Sequence, residues 1–277
     1  MSKRTPLLLL VMILAAGMVT TCKQQKNMIT FGIDYKKVTL SEIRKYDMVV
    51  VEQDHYSDYE LKELSQSRTR ILGYLSMSEV HPARSFFYEL KQTGLIGKNE
   101  NWNSYYINLQ DSTVRSVMLD KVVPDIMEHG LDGLLLDTID GVAPYTARSH
   151  MQDEMVSMIR HIRERYPDAY LLQNGGLFLL DRTKQYISGV LLESVATRYD
   201  FENKHYQLRS DSAFRARLRQ VDTASQKVDD HFFIVDYVDT DSMAGQVRAR
   251  LDTLPYSYYL SRIQLDSLRH YSLKTLE

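Results

Sequence analysis

The feature that most limits the fold of this sequence is a series of short apolar runs that alternate with helical patterns. Most runs are continuously apolar, which is typical of parallel strands covered on both faces. Strand–helix units repeated over about 250 residues favour a single α/β (β/α)₈ TIM barrel, with a doubly wound open sheet as the alternative. Because a barrel needs eight strands, one of the nine predicted is expected to be an extra strand or a loop. The predicted strands are Ile29–Asp34, Met48–Glu52, Ile71–Ser76, Tyr105–Leu109, Gly133–Asp137, Tyr170–Asn174, Gly189–Glu193, Phe232–Asp236 and Tyr256–Leu260.

Two helical patterns between these runs carry apolar stripes that we assign to the core. The first is predicted to be capped by Ser112 and to end at Gly130, and the second ends before Tyr166. Their apolar faces comprise Val114, Val117, Met118 and Ile126, and Met151, Met155, Met158, Ile159 and Ile162. No linker rich in Pro, Gly or Ser and no internal repeat interrupts the pattern, so residues 29–277 are predicted to form one domain.

The first 22 residues are predicted to be an export signal. Lys3 and Arg4 precede the apolar run 7–19, which is shorter than the ~20 residues of a membrane-spanning helix. The run ends near Cys22, and this arrangement resembles a bacterial lipoprotein signal, in which the cysteine becomes the lipidated first residue. We therefore expect a signal over 1–22, a polar tether over 23–28, and a protein anchored in the bacterial cell envelope through a lipid on Cys22. A simple secretory signal, giving a secreted protein, is the alternative.

Composition and missing motifs exclude several classes of function. The chain has 34 Lys and Arg against 36 Asp and Glu, without the basic stripe of a nucleic-acid binder. Its single cysteine leaves no disulfide or thiol catalysis for the exported protein. No pair of histidines has metal-ligand spacing, and neither a GxGxxG loop nor a GxSxG elbow occurs. We expect no metal, no cofactor and no nucleotide.

Polar residues recur where the apolar runs end. In a barrel these positions converge on the rim formed by the carboxyl ends of the strands, where such enzymes place their active sites. A single carboxylate there is more often a helix cap, but the repetition over several strands predicts a site. Carboxylates without a metal suit glycoside hydrolysis. The residues are Asp34, Glu52, Asp54, Glu79, Asp137, Asp140, Gln173, Asn174, Glu193 and Asp236.

Four segments in a fixed order carry a resemblance to a known family. They are Ile71–Glu79, Gly130–Asp140 (GLDGLLLDTID), Gln173–Gly175 and Leu192–Ser194. Together they resemble glycoside hydrolase family 114, the endo-α-1,4-polygalactosaminidase family, to which the hydrolase domain of the Pel polysaccharide machinery is related. The likeness runs from about Ile29 to Leu268. It implies a TIM barrel with an acidic cleft that cleaves α-1,4-linked polymers of galactosamine, an amino-sugar polysaccharide.

The resemblance also implies roles for individual residues. Asp137, on the fifth predicted strand, matches the catalytic carboxylate of the family, and Glu193, on the seventh, matches its partner. The residues implied to line the substrate subsites are Tyr74, Glu79, Asp140, Gln173 and Asn174, with Asp34 and Asp236 as looser candidates. Since Trp102 is the only tryptophan, tyrosines such as Tyr56, Tyr145 and Tyr199 are expected to stack on sugar rings.

We take Asp137 as nucleophile and Glu193 as acid/base, with retention of configuration, as the working hypothesis. Carboxyl groups near 5 Å apart support retention, and a separation of roughly 6.5–9.5 Å indicates inversion. Three alternatives remain from the sequence. They are a glycosidase for another α-linked glycan, a surface lipoprotein that binds polysaccharide without cutting it, and a barrel with a structural role in polysaccharide export.

Overall fold

The structure, a computed structural model, describes residues 28–228 and 231–268. The predicted signal peptide, Cys22 and all of the tether except Met28 lie outside the described residues. Among the residues that the structure describes, no helix has the length and apolar character needed to cross a membrane.

Eight parallel strands form one sheet, and each strand pairs with the next along the chain. The first and last strands are also neighbours, because the Tyr35 amide just after the first donates to the Leu265 carbonyl just after the last, at 2.7 Å. This confirms the predicted TIM barrel. The strands are β1 (Phe31–Asp34), β2 (Met48–Val51), β3 (Arg70–Ser76), β4 (Gly133–Asp137), β5 (Tyr170–Asn174), β6 (Gly189–Glu193), β7 (Phe232–Tyr237) and β8 (Ser257–Ser261).

The fourth of the nine predicted strands, Tyr105–Leu109, is the extra one and is not part of the barrel. Its counterpart Ser104–Ile107 is the middle strand of a three-stranded antiparallel sheet with Glu79–Val80 and Leu95–Asn99. We call this sheet, inserted between β3 and β4, the β3–β4 insertion. Asp137 and Glu193 therefore lie on the fourth and sixth barrel strands, not on the fifth and seventh. A second excursion, the β6–β7 hairpin, pairs Thr197–Asp200 with His205–Leu208.

Helices connect the strands on the outside of the barrel. The predicted helix after Asp111 consists of two α-helical segments joined by a π-helical stretch, Val117–Val122. Asp111 caps it through the Thr113 amide (2.7 Å), so Ser112 is the first helical residue, not the predicted cap. The α-helices are α1 (Leu40–Ile43), α2 (Asp58–Ser65), α3 (Phe87–Gln92), α4 (Ser112–Ser116), α5 (Val123–Glu128), α6 (Gln152–Arg165), α7 (Leu180–Thr183), α8 (Asp211–Ser225) and α9 (Asp241–Leu251).

The core lies within the barrel and between the barrel and its helices. Three consecutive residues of β2, Val49–Val51, are fully buried, as expected for a strand covered on both faces. The two predicted helical stripes are also buried, which confirms their assignment to the core. Gly133, which begins β4, has no room for a side chain, since a Cβ there would lie 2.0 Å from the Tyr170 carbonyl oxygen of β5.

Candidate active site

Three neighbouring barrel strands bring together two carboxylates and one amide. Asp137 ends β4, Asn174 ends β5 and Glu193 ends β6. The Asn174 Nδ2 donates to Asp137 Oδ1 and to Glu193 Oε1, at 2.7 Å in each case. Because both bonds share one nitrogen, the two carboxylate oxygens lie at most twice 2.7 Å, or 5.4 Å, apart.

Each carboxylate also accepts a hydrogen bond from a tyrosine, half-buried Tyr74 for Asp137 and buried Tyr237 for Glu193. The Tyr74 hydroxyl on β3 donates to Asp137 Oδ2 at 2.8 Å, and the Tyr237 hydroxyl at the end of β7 donates to Glu193. Burial, followed by the neighbouring carboxylate charges, raises the pKa of both phenols well above their usual range. The two tyrosines therefore keep their protons and act as hydrogen-bond donors, and each fixes the orientation of one carboxylate.

The Glu193 carboxyl group is in an environment that favours its protonated form. Burial and then the negative charge of Asp137 raise its pKa from 4.5 to about 7, against the hydrogen bonds from Asn174 and Tyr237. A carboxyl group with this pKa holds a proton near neutral pH and can release it within a reaction. This is the property required of a general acid.

The carboxylate pair opens into a cavity of about 930 Å³ at the carboxyl ends of the strands. Of the nine residues that the family resemblance assigned to the site, six line it: Tyr74, Glu79, Asp137, Asp140, Asn174 and Glu193. Asp140 accepts a hydrogen bond from the Gly176 amide at 3.1 Å, and burial raises its pKa. The structure brings these six together, and their contacts with a substrate stay predictions.

Acidic side chains outnumber basic ones in the cavity wall. The acids are Glu52, Asp54, Glu79, Asp137, Asp140 and Glu193, and the arginines are Arg84, Arg148 and Arg217. Arg84 is paired with Glu52 and, at 2.8 Å, with Asp54. The other four acids have no ion-pair partner among the residues that the structure describes. A cleft of this charge attracts cations.

Comparison with protein families decides which class of enzyme this site belongs to. The family model for glycoside hydrolase family GH114 matches residues 15–277. The chain belongs to family GH114. This membership confirms the family expected from the four sequence segments and makes the protein a glycoside hydrolase.

The GH114 chain is also similar to solved structures. It superposes on the glycoside hydrolase domain of PelA from Pseudomonas aeruginosa with a TM-score of 0.75 and 22% identity, over 87% of this chain and 97% of that chain. For Ega3 from Aspergillus fumigatus, solved in complex with galactosamine, the TM-score is 0.68 and the identity 16%, over 90% and 98% of the two chains. These likenesses support the barrel fold. No curated protein sequence matches the chain.

Three other predicted site residues of this GH114 enzyme, Gln173, Asp236 and Asp34, do not line the cavity. Gln173 is fully buried, and its Nε2 donates to the carbonyls of Gly175 (3.0 Å) and Gly176 (3.2 Å). Its Oε1 accepts from the Thr183 hydroxyl at 2.8 Å. Both glycines have positive φ, so Gln173 holds the turn after β5 in a conformation that favours glycine. The expectation that Gln173 lines the cavity is corrected accordingly.

Asp236 is likewise placed away from the cavity, and so is Asp34. The fully buried Asp236 carboxylate accepts hydrogen bonds from the amides of Ala196 and Thr197 and from the Thr197 hydroxyl, so it fixes the start of the β6–β7 hairpin. Asp34 accepts from the Lys36 amide at 2.7 Å and holds the turn after β1. Neither side chain lines the cavity, so the geometry gives no support to the expected contacts with substrate.

The sequence interpretation missed Tyr237 and misjudged the aromatic residues. Successive residues of a strand point to opposite faces, so burial of Asp236 within the protein turns Tyr237 towards the cavity. The only available signal was the position of Tyr237 at the end of an apolar run. Trp102 lines the cavity, together with Tyr35, Tyr74, Tyr106 and Tyr237, whereas the predicted Tyr56, Tyr145 and Tyr199 do not.

No group of three or more His, Cys, Asp or Glu in residues 28–228 and 231–268 is arranged to hold a metal ion.

Proposed function

We propose that this protein cleaves α-1,4-linked galactosamine polysaccharide with Asp137 as nucleophile and Glu193 as acid/base, with net retention of configuration. The observation that carries the mechanism is the Asn174 bridge, which limits the separation of the two carboxylate oxygens to 5.4 Å. Retaining glycosidases hold their carboxyl groups about 5–5.5 Å apart, and inverting ones need roughly 6.5–9.5 Å to admit a water molecule.

The first half of the reaction uses the two carboxyl groups in opposite protonation states. Glu193, with its raised pKa, donates its proton to the glycosidic oxygen as that bond to the anomeric carbon breaks. Asp137, oriented by Tyr74 and Asn174, attacks the anomeric carbon and forms a glycosyl ester. The shorter chain leaves with the proton of Glu193, which is now a carboxylate.

The second half follows from the loss of charge on Asp137. Once Asp137 is esterified, its negative charge no longer raises the pKa of Glu193. The pKa of Glu193 therefore falls, and the group is more fully in the carboxylate form that acts as a base. It takes a proton from water, whose oxygen attacks the anomeric carbon and displaces Asp137. The product keeps the original anomeric configuration, and both groups return to their starting states.

The charge of the cavity supports a galactosamine polymer as the substrate. Unacetylated galactosamine carries an ammonium group, and the cavity wall carries six acids against three arginines. A cleft lined mostly with one sign of charge raises the local concentration of the opposite charge. The galactosamine bound to the structurally similar Ega3 agrees with this choice of sugar.

The N-terminal sequence supports a proposed location in the bacterial cell envelope. Lys3 and Arg4, the apolar run 7–19 and Cys22 follow the order of a lipoprotein signal. Metabolic labelling with an alkyne fatty acid is expected to mark the wild-type protein and not Cys22→Ser. Labelling of neither protein, with the processed chain free in the medium, would instead identify a secreted protein.

Product sizing tests the proposed activity. Purified protein is incubated with galactosamine oligomers of defined acetylation, beside Asp137→Asn and Glu193→Gln. Wild type is expected to release shorter oligomers, and each variant is expected to be slower by at least about 100-fold, or roughly 2.7 kcal/mol of barrier. Binding without cleavage by all three proteins would replace the proposed hydrolysis with a binding function.

A further inference from the structure

Glu79 lies at the base of the turn that presents Trp102 to the cavity. Asn99 and Ser104 are paired across the β3–β4 insertion, and Trp102 lies in the turn between them. The Asn99 side-chain amide donates to both Glu79 oxygens at 3.2 Å, and the Ser104 hydroxyl donates to Glu79 as well. One carboxylate thus connects both ends of the turn that carries Trp102.

The β6–β7 hairpin packs against the Trp102 indole. Phe201, at the tip of the β6–β7 hairpin, packs edge-to-face on Trp102, with ring centroids 5.4 Å apart and an interplanar angle of 79°. Tyr199 supports Phe201 in the same way at 5.0 Å. Trp102 nevertheless keeps 49% of its surface exposed and lines the cavity. A large, half-exposed aromatic ring that lies between the β3–β4 insertion and the β6–β7 hairpin is suited to contact a ligand.

The charge of Glu79 is not balanced by a protein group. Glu79 is buried and lines the cavity, yet its partners Asn99 and Ser104 are neutral, and no described basic side chain forms an ion pair with it. By contrast, Glu52 and Asp54 in the same cavity share Arg84. A buried carboxylate that has no cationic partner in the protein favours binding of a ligand that supplies the cation.

We infer that Glu79 and Trp102 form a subsite for the free ammonium group of a 2-amino sugar, separate from the Asp137–Glu193 pair. The carboxylate supplies the opposite charge, and the indole is the aromatic face that attracts cations most strongly. An N-acetyl group is neutral and bulkier, so it loses both interactions. The subsite therefore selects a deacetylated residue at this position of the polymer. The inference rests on the proposed function, because it specifies which amino sugar that function accepts.

Intrinsic fluorescence tests the subsite directly, because Trp102 is the only tryptophan of the chain. Fully deacetylated and fully N-acetylated galactosamine oligomers are titrated into the Asp137→Asn variant, which prevents turnover. The deacetylated oligomer is expected to change the Trp102 emission saturably, with affinity at least about tenfold higher than that of the acetylated one.

Two variants made in the Asp137→Asn background establish the residues. Glu79→Gln keeps the shape of the side chain and removes its charge, so the preference for the deacetylated oligomer is expected to fall at least about fivefold. Glu164→Gln, on the exposed surface of α6, is the matched control and is expected to retain the preference. Trp102→Leu leaves the Glu79 hydrogen bonds in place and is expected to lower the same preference, measured by calorimetry.

The outcomes separate this inference from the proposed function. If wild type cleaves galactosamine oligomers while saturating oligomer leaves the Trp102 emission unchanged, the subsite is refuted and the activity stands. An unchanged acetylation preference in both Glu79→Gln and Trp102→Leu refutes it equally. If the protein neither binds nor cleaves any galactosamine oligomer, the proposed function is refuted and the subsite with it.

Discussion

Removal of one hydroxyl group, in Tyr237→Phe, is expected to extend the activity to higher pH. The Tyr237 hydroxyl donates a hydrogen bond to the Glu193 carboxylate, and this bond favours the charged form and lowers its pKa. A hydrogen bond to a charged group contributes about 1.5–3 kcal/mol, and one pKa unit corresponds to about 1.36 kcal/mol. Loss of the bond is therefore expected to raise the pKa of Glu193 from about 7 to about 8 or higher.

The assay is the pH dependence of kcat/KM on a galactosamine oligomer. Its basic limb reports the essential acid of the free enzyme, which we assign to Glu193. In Tyr237→Phe the basic limb is expected to move up by about one pH unit or more, because Glu193 keeps its proton to higher pH. The aromatic ring is retained, so the packing at the end of β7 is preserved.

Tyr74→Phe is the matched control for this prediction. Its hydroxyl donates to Asp137 at 2.8 Å and not to Glu193, so its loss is expected to leave the basic limb in place while kcat falls. A basic limb that stays unchanged in Tyr237→Phe, or moves to lower pH, would refute the assignment of Glu193 as the acid. An equal shift in both variants would show that the effect is not specific to the hydrogen bond.

Three further predictions concern stability and stereochemistry. Burial raises the pKa of Glu193 from 4.5 in the unfolded chain to about 7 in the folded protein, so the free energy of unfolding falls as pH rises through this range. Glu193→Gln is therefore expected to be more stable than wild type by about 3 kcal/mol at pH 8 and similar to it at pH 4. Urea unfolding at the two pH values measures the difference. Gly133→Ala places a Cβ 2.0 Å from the Tyr170 carbonyl oxygen and is expected to lower the free energy of unfolding by about 1–3 kcal/mol or more. Gly245→Ala, where α9 leaves open space for the methyl group, is the control and is expected to be neutral or stabilising. Equal melting temperatures for the two variants would contradict the packing argument. Proton NMR during cleavage is expected to show the α-anomer as the first product, and a first-formed β-anomer would establish inversion and reject the covalent intermediate.

The pattern of apolar runs favoured the barrel over an open sheet and predicted its eight strands in order, together with one extra run. Parallel strands covered on both faces need continuous apolar segments, and Val49–Val51 and Leu134–Leu136 show this directly. Because all parallel strands end on one rim, the sequence also placed Asp137, Asn174 and Glu193 on a common face. It could not assign Ser104–Ile107 to a separate sheet, since a short apolar run has the same composition in either sheet.

Only the tertiary structure decided which polar residues at the strand ends face the cavity. Asp34 ends its strand as Asp137 and Glu193 do, whereas Gln173 and Asp236 each lie one residue before the end of theirs. All three of these side chains hold adjacent turns. Successive residues of a strand point to opposite faces, so a difference of one residue in where a strand ends exchanges a cavity residue for a buried one. The Asn174 bridge and the position of Trp102 beside Glu79 depend on contacts between segments distant in sequence. Distances of this kind are set by how the strands and insertions pack in three dimensions, and no local pattern of residues records them.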